Sequence, residues 1–359
     1  MLVTDHKFHG CIPVHLWCCL GGRSMRRSTI REVALRAGVS YQTVSRVINN
    51  SPDVAEATRE HVRRVIAELD YHPNAQAVSL SRNRTDIVGV IVDTITESFF
   101  THIVDGATRA LRCRGRFTLL ATVDDATQFD VVDTLQRSRR IDGLIIVLPL
   151  ASSLGLGRLA PSRVPTVHVD LQYDMDVYGI SVDNYQGAYA ATEHLITLGH
   201  RRIGVIAGRR DIPVGQLRLD GYQAALRDHG LPFDPALIAP GDFTFESGLA
   251  GAEQLLLLAD PPTAIFACDD PMAIGALHVA ARRGLRVPED LSVIGFDDTP
   301  EAARCWPPLT TMRQPLGRMG ELAADLVCRL IDGETPEQSR YVLASELVVR
   351  ASTSRRPMC

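Results

Sequence analysis

The chain has 359 residues, 45% hydrophobic and 22% charged, which is ordinary for a soluble globular protein with two or three domains. Its net charge of -4 excludes a protein that is basic throughout, and no apolar run is long enough to span a membrane. The eight cysteines are scattered without CxxC or His-rich spacing, so no metal or other cofactor is expected, and free thiols fit a cytoplasmic location.

Residues 1–25 carry the weakly apolar run CIPVHLWCCLGG. Pro13 and His15 interrupt it, and no small-residue cleavage site follows, so it does not read as a secretion signal. The regular pattern begins just after Met25, where translation is expected to start. Charge is uneven beyond that point. Residues 26–85 hold ten Arg against six acidic residues, a net of +4, which leaves -8 on the remainder. A small basic module on an acidic body suits a DNA reader that also binds a neutral or polar small molecule.

Residues 26–73 read as an all-α, helix-turn-helix headpiece. In STIREVALRAGVSYQTVSRVINN, Ile30, Val33, Ala34 and Ala37 mark the inward face of one helix. Gly38 takes the sharp bend, and Ser40 is placed to cap the next helix. Val44, Val47 and Ile48 turn inward, leaving Tyr41, Gln42, Ser45 and Arg46 outward near the helix start, the end that meets base edges in this motif. A third helix spans 56–69. Ala55 is a poor cap for it, so its start is expected to fray or to be capped by Asp53. Residues 74–85 follow as a short hinge helix, NAQAVSLS, and a polar linker.

From residue 87 strands alternate with helices. IVGVIVD, FTLLATV, DGLIIVL and PTVHVD form one set. RRIGVIAG, PTAIFACDD and LSVIGFDD form a second, with helices in RLDGYQAALRDHG, ESGLAGAEQLLLL and PMAIGALHVAARRG. Two such sets predict an α/β core, residues 86–359, of two doubly wound parallel subdomains. The expected boundaries are about 86–198 with 315–342, and 199–314 with 343–352. Ligands bind beyond the carboxyl ends of such strands, where Asp269, Asp270, Asp297 and Asp298 fall.

Taken together, VALRAGVSYQTVSRVINN, NAQAVSL, DNYQGAYAATEHLITLGHRRIGVIAG, QLRLDGY, VIGFDDT and PPLTTMRQP make residues 28–352 resemble the LacI/GalR family of bacterial transcription repressors. The recognition helix is of the lactose-repressor type. The resemblance implies a headpiece, a hinge helix and a core like that of periplasmic sugar-binding proteins, acting as a homodimer on double-stranded operator DNA. It implies that a small carbohydrate bound between the subdomains controls operator affinity, as inducer or as corepressor.

By the same resemblance Tyr41, Gln42 and Arg46 read bases, Arg46 with the donor pair for a guanine edge. Ser40, Thr43 and Ser45 suit phosphates, and Asn49 completes the face. Leu80 is the leucine that such repressors wedge into the minor groove, with Ala77 beside it. In the core, Arg218 and Asp297 match the sugar-binding arginine and aspartate, and Phe243 offers a ring to a pyranose face. Asp269 stands where the family usually has Asn, and Gln186 replaces an acidic residue. Ser98 and Phe99 follow the first core strand and complete the pocket, while Asp270 and Asp298 read as structural caps. The terminal VRASTSRRPMC lacks a leucine heptad, so no tetramer-forming tail is expected.

Other readings are weaker. GLGRLA at 155–160 fits a dinucleotide fingerprint, but Pro149 and Pro161 deny it the strand and helix it needs. The Asp pairs alone do not make a glycosidase, so no enzyme is expected. A periplasmic-type sugar carrier without DNA regulation is the remaining alternative for the core.

Overall fold

The computed structural model describes residues 28–72, 84–123, 128–147, 164–172 and 177–356. The chain divides into two compact units, residues 1–81 and 82–359.

The first unit contains α1 (Ile30–Ala37), α2 (Tyr41–Ile48) and α3 (Glu56–Glu68). Thr29 and Glu32 form a reciprocal capping box at the start of α1. Gly38 ends α1 at φ +64°, a left-handed turn in which a Cβ would be strained. Ser40 caps α2 by accepting from the Thr43 N–H at 3.1 Å. The start of α3 has no side-chain cap, and Asp53 instead accepts from the Ser51 hydroxyl. Arg59 reaches back from the first turn of α3 to the carbonyls of Ser51 and Val54, fixing the loop that a cap would have fixed. Val33, Val44, Val47 and Val62 meet at the centre of the three helices. Each buried valine contributes about 1.5–3 kcal/mol.

The second unit has two lobes. The first contains β1 (Ile87–Val92), α4 (Ser98–Cys113), β2 (Phe117–Thr122), α5 (Gln128–Arg137), β3 (Gly143–Val147), β4 (Thr166–Val169) and β5 (Tyr178–Val182). The second contains α6 (Asn184–Thr197), β6 (Ile203–Ile206), α7 (Pro213–Asp228), β7 (Ile238–Ala239), α8 (Phe245–Leu256), β8 (Ala264–Ala267), α9 (Asp270–Arg282), β9 (Ser292–Asp297), α10 (Pro300–Arg304) and β10 (Thr310–Arg313). The chain then returns to the first lobe as α11 (Leu316–Ile331) and β11 (Arg340–Leu343), and ends in the second as β12 (Glu346–Val348).

The sheet orders are β11-β5-β4-β3-β1-β2 and β12-β10-β9-β8-β6-β7. Their paired strands are parallel except β10 with β12. Alternation explains the layers. Val88, Val90, Val92, Ile145 and Val147 face one side of the first sheet with α4 and α11. Ile91, Leu144 and Ile146 face the other, with Val132 of α5.

Three sequence expectations change here. Helix α6 packs Ala188, Ala191 and Leu195 into the core of the second lobe, so the first crossing lies at 183 and not near 198. The second half of the expected linker is anchored, because Asp142 accepts from the backbone N–H groups of both Thr85 and Asp86 at 2.8 Å. Helix α7 starts at Pro213, five residues before the expected segment, since proline suits the first helical turn.

Helices α4 and α11 touch through glycine. A Cβ on Gly320 would lie 2.0 Å from the Ile103 carbonyl oxygen, and one on Gly106 2.1 Å from that of Gly317. Gly320→Ala is therefore expected to destabilise the core by about 2 kcal/mol. Urea unfolding checks this; a loss below about 0.5 kcal/mol, the scale of a neutral surface change, would show that the helices part freely.

Candidate functional site

Two surfaces draw the candidate residues together, one in each unit. On the headpiece, α2 buries Val44 and Val47 and leaves Tyr41, Gln42 and Arg46 exposed along its other face. Tyr41 is 58% exposed, a large value for an aromatic residue that a small core could have absorbed. Ser40 and Thr43 join their hydroxyls at 2.9 Å at the helix start. Asn49 caps the far end, its amide 3.5 Å from the Ser45 hydroxyl. The expected hinge helix, with Ala77 and Leu80, lies outside the described residues.

In the core, a cavity of about 780 Å³ opens between the lobes at the carboxyl ends of both sheets. Arg218 of α7 forms its floor and is 2% exposed. Its Nε donates to Asn184 Oδ1 at 2.8 Å and one terminal nitrogen donates to the Cys268 carbonyl. The guanidinium lies 3.8 Å from the centre of the Phe296 ring. The other terminal nitrogen lies 3.6 Å from Asp297 Oδ1. Planar stacking and directed donors fix this side chain, a geometry that Lys cannot reproduce.

Asp297 is the last residue of β9 and takes a hydrogen bond from Gln314 at 2.6 Å. Burial pushes its carboxyl up to about 7, against the pull of Arg218. Asp269 caps α9, accepting from Met272 N–H at 2.7 Å, and is raised well above the usual carboxylate range by burial and by Asp297. Phe243 lines the cavity with its ring laid over Gly208, where a Cβ would come within 2.1 Å of the ring. Asp170 (φ +64°), Phe243 (φ +72°) and Asp297 (φ +119°) all have left-handed backbones, costly conformations gathered around one cavity.

Ser98 and Phe99 line the cavity from the first lobe, and the Ser98 hydroxyl donates to Glu301 of the second lobe at 2.9 Å. Arg218, Phe243, Asp269 and Asp297 also line it. Gln186 does not: its side chain is exposed on α6, and Asn184, two residues earlier, is the residue that holds Arg218. Asp270 and Asp298 are structural. Asp270 ties α9 to Thr299 and Thr311, and Asp298 pairs with Arg313 and Arg350.

Sequence reasoning missed Asp170, which lies just beyond β4 and faces the cavity. One of its carboxylate oxygens is buried without a hydrogen-bond partner. Burial raises its carboxyl from 3.8 to about 6, opposed by Arg218 and Gln172. An aspartate at the end of a buried strand was the available signal, as at Asp269 and Asp297. A folded-state value above the unfolded one contributes stability that is complete below pH 3.8 and is lost as pH rises through 6. Asp170→Asn is therefore expected to raise stability at pH 8 by up to about 3 kcal/mol relative to the parent chain. The gain should shrink toward zero at pH 4; thermal melts at both values check it, and a gain equal at both would contradict the burial argument.

Comparison with known proteins agrees with this arrangement. Residues 29–74 match the model for bacterial regulatory proteins of the lacI family, and residues 192–353 match a periplasmic binding protein-like domain. The chain is 37% identical over 338 residues to the HTH-type transcriptional repressor CytR of Escherichia coli, covering 92% of this chain and 97% of that one. It is 39% identical over 340 residues to the HTH-type transcriptional regulator CelR of Thermobifida fusca, covering 91% and 98%. Among solved structures, the Lac repressor dimer bound to operator and the anti-inducer ONPF shares 31% identity at a TM-score of 0.84, over 92% of this chain and 100% of that one. A CelR–cellobiose complex shares 39% identity at 0.69, over 91% and 100%. These relatives are regulators and not enzymes, and the headpiece match sets aside a sugar carrier without DNA regulation. The chain belongs to the lacI family of bacterial regulatory proteins.

Proposed function

We propose that this chain is a transcriptional repressor whose α2 reads operator DNA and whose grip on that DNA is set by a small carbohydrate in the core cavity. The observation that carries the reading is the union, in one chain, of an outward Tyr41–Gln42–Arg46 face and a cavity floored by a locked arginine beside an aspartate. Arg46 supplies paired donors for a guanine edge and Gln42 a donor and an acceptor for adenine. A guanidinium and a carboxylate together match hydroxyls, which both donate and accept. The rings of Phe243 and Phe99 give apolar walls for the C–H faces of a pyranose.

The chain works as a homodimer in the cytoplasm, so that two headpieces meet a near-palindromic site one helical turn apart. Leu80 and Ala77 of the hinge press into the minor groove between the half-sites. Ligand between the lobes shifts their relative position and with it the hinge, which biases one DNA-binding state over the other. The lobes already meet at the rim through Ser98 and Glu301, a contact that closure would keep or break.

Fluorescence anisotropy with labelled duplexes from the upstream region of its own gene tests the reading. Tight binding to an inverted repeat, altered by a carbohydrate, is expected; indifference to duplex DNA at low salt, with and without sugars, would contradict it. Arg46→Ala should cost about 1–3 kcal/mol on the cognate repeat and relax discrimination at a single base-pair position. Arg218→Lys should keep repeat binding and lose the response to carbohydrate; an unchanged response would remove Arg218 from the ligand site.

A further inference from the structure

The deep part of the cavity holds three carboxyl groups and one guanidinium. Asp170, Asp269 and Asp297 are 8%, 4% and 6% exposed, and Arg218 is 2% exposed. Arg218 is already committed to Asn184, the Cys268 carbonyl and the face of Phe296, and among the described residues it approaches only Asp297 at salt-bridge distance. Asp170 lines the cavity, and one of its carboxylate oxygens is buried and accepts no hydrogen bond. At the rim stand four more carboxylates, Asp93, Glu97, Asp242 and Glu301. The rim guanidinium of Arg209 is answered by Asp211 through two hydrogen bonds of 3.1 and 2.6 Å. Buried carboxyl groups that one cation cannot neutralise either keep their protons or ionise against positive charge supplied from elsewhere.

A metal ion does not fit that role, because among the described residues no group of three potential ligands could hold one. The walls point elsewhere. Phe99, Phe243, Val214 and Ile274 give the cavity apolar faces suited to a ring with C–H surfaces, and aromatic faces attract ammonium groups. We propose that the natural effector is an amine-bearing sugar, of one or two rings, whose ammonium group is held among Asp170, Asp269 and Asp297. The proposal rests on the carbohydrate reading of this cavity and narrows it. Acidic sugars and sugar phosphates are excluded by the same charge. Asp269 has the sharpest part, since an asparagine there would keep the cap on Met272 and lose the capacity to ionise against an ammonium group.

Isothermal titration of the full-length protein near neutral pH separates the cases. The probes are cellobiose and the β-linked glucosamine disaccharide, which has amines in place of ring hydroxyls. The aminated disaccharide should bind at least about tenfold more tightly than cellobiose. Asp269→Asn and Asp170→Asn, checked for folding by thermal melts, should each reduce that preference several-fold. Equal or tighter binding of cellobiose overturns the inference and leaves the carbohydrate reading standing. A preference for the amine that survives in both variants also overturns it, by placing the ammonium elsewhere. Silence of both disaccharides and of free glucosamine, in protein that still binds its inverted repeat, overturns the inference.

Discussion

A single buried guanidinium organises the core. Arg218 lies at the floor of the cavity, and its hydrogen bonds reach the start of α6 at Asn184 and the end of β8 at Cys268. Its charge faces Asp297 at the end of β9, and its plane rests on Phe296 of the same strand. A cation so enclosed is stable only when its donors and its charge are all met. The surrounding strand ends are therefore held in register by their shared need to satisfy it. Gln314, at the second crossing between lobes, donates to the same Asp297. The cavity floor and a connection between the lobes thus share one carboxylate.

That geometry explains why the site tolerates backbone strain. Asp170, Phe243 and Asp297 hold left-handed conformations that ordinary loops avoid. Each lies just beyond or within a segment pinned by parallel strands or by a glycine seat such as Gly208 under the Phe243 ring. The three crossings lie between these pinned ends, and the backbone N–H of Asp183 in the first donates to Leu343 beside the third at 3.0 Å. Lobes joined by three short segments are suited to hinge motion, in which a few residues absorb the change while each sheet stays rigid.

The headpiece and the alternation of strands and helices in the core were legible because they rest on local patterns. Inward Val33, Val44 and Val47 follow helical spacing, and Gly38 and Ser40 declare the turn and the cap. The strands that the sequence hid, β5, β7, β10, β11 and β12, are two to five residues long and owe their existence to partners far away in the chain. Gln186 shows a different failure. Residues two apart on a helix point about 200° apart, so once α6 starts at Asn184, that residue faces Arg218 and Gln186 faces out. Asp170 escaped notice because an aspartate after a strand reads equally as a turn residue, and only the sheet's third dimension carries it into the cavity.

On the function proposed above, ligand binding in the core and DNA binding by the headpiece are one thermodynamic system. Linkage demands that each partner change the other's affinity by the same factor. The most direct test is calorimetric titration of an effector carbohydrate into the free protein and into the protein saturated with its inverted-repeat duplex. The dissociation constants of the two titrations should differ, by the factor by which that carbohydrate shifts duplex affinity. Identical constants, for a ligand that fills the Arg218 cavity, would contradict it.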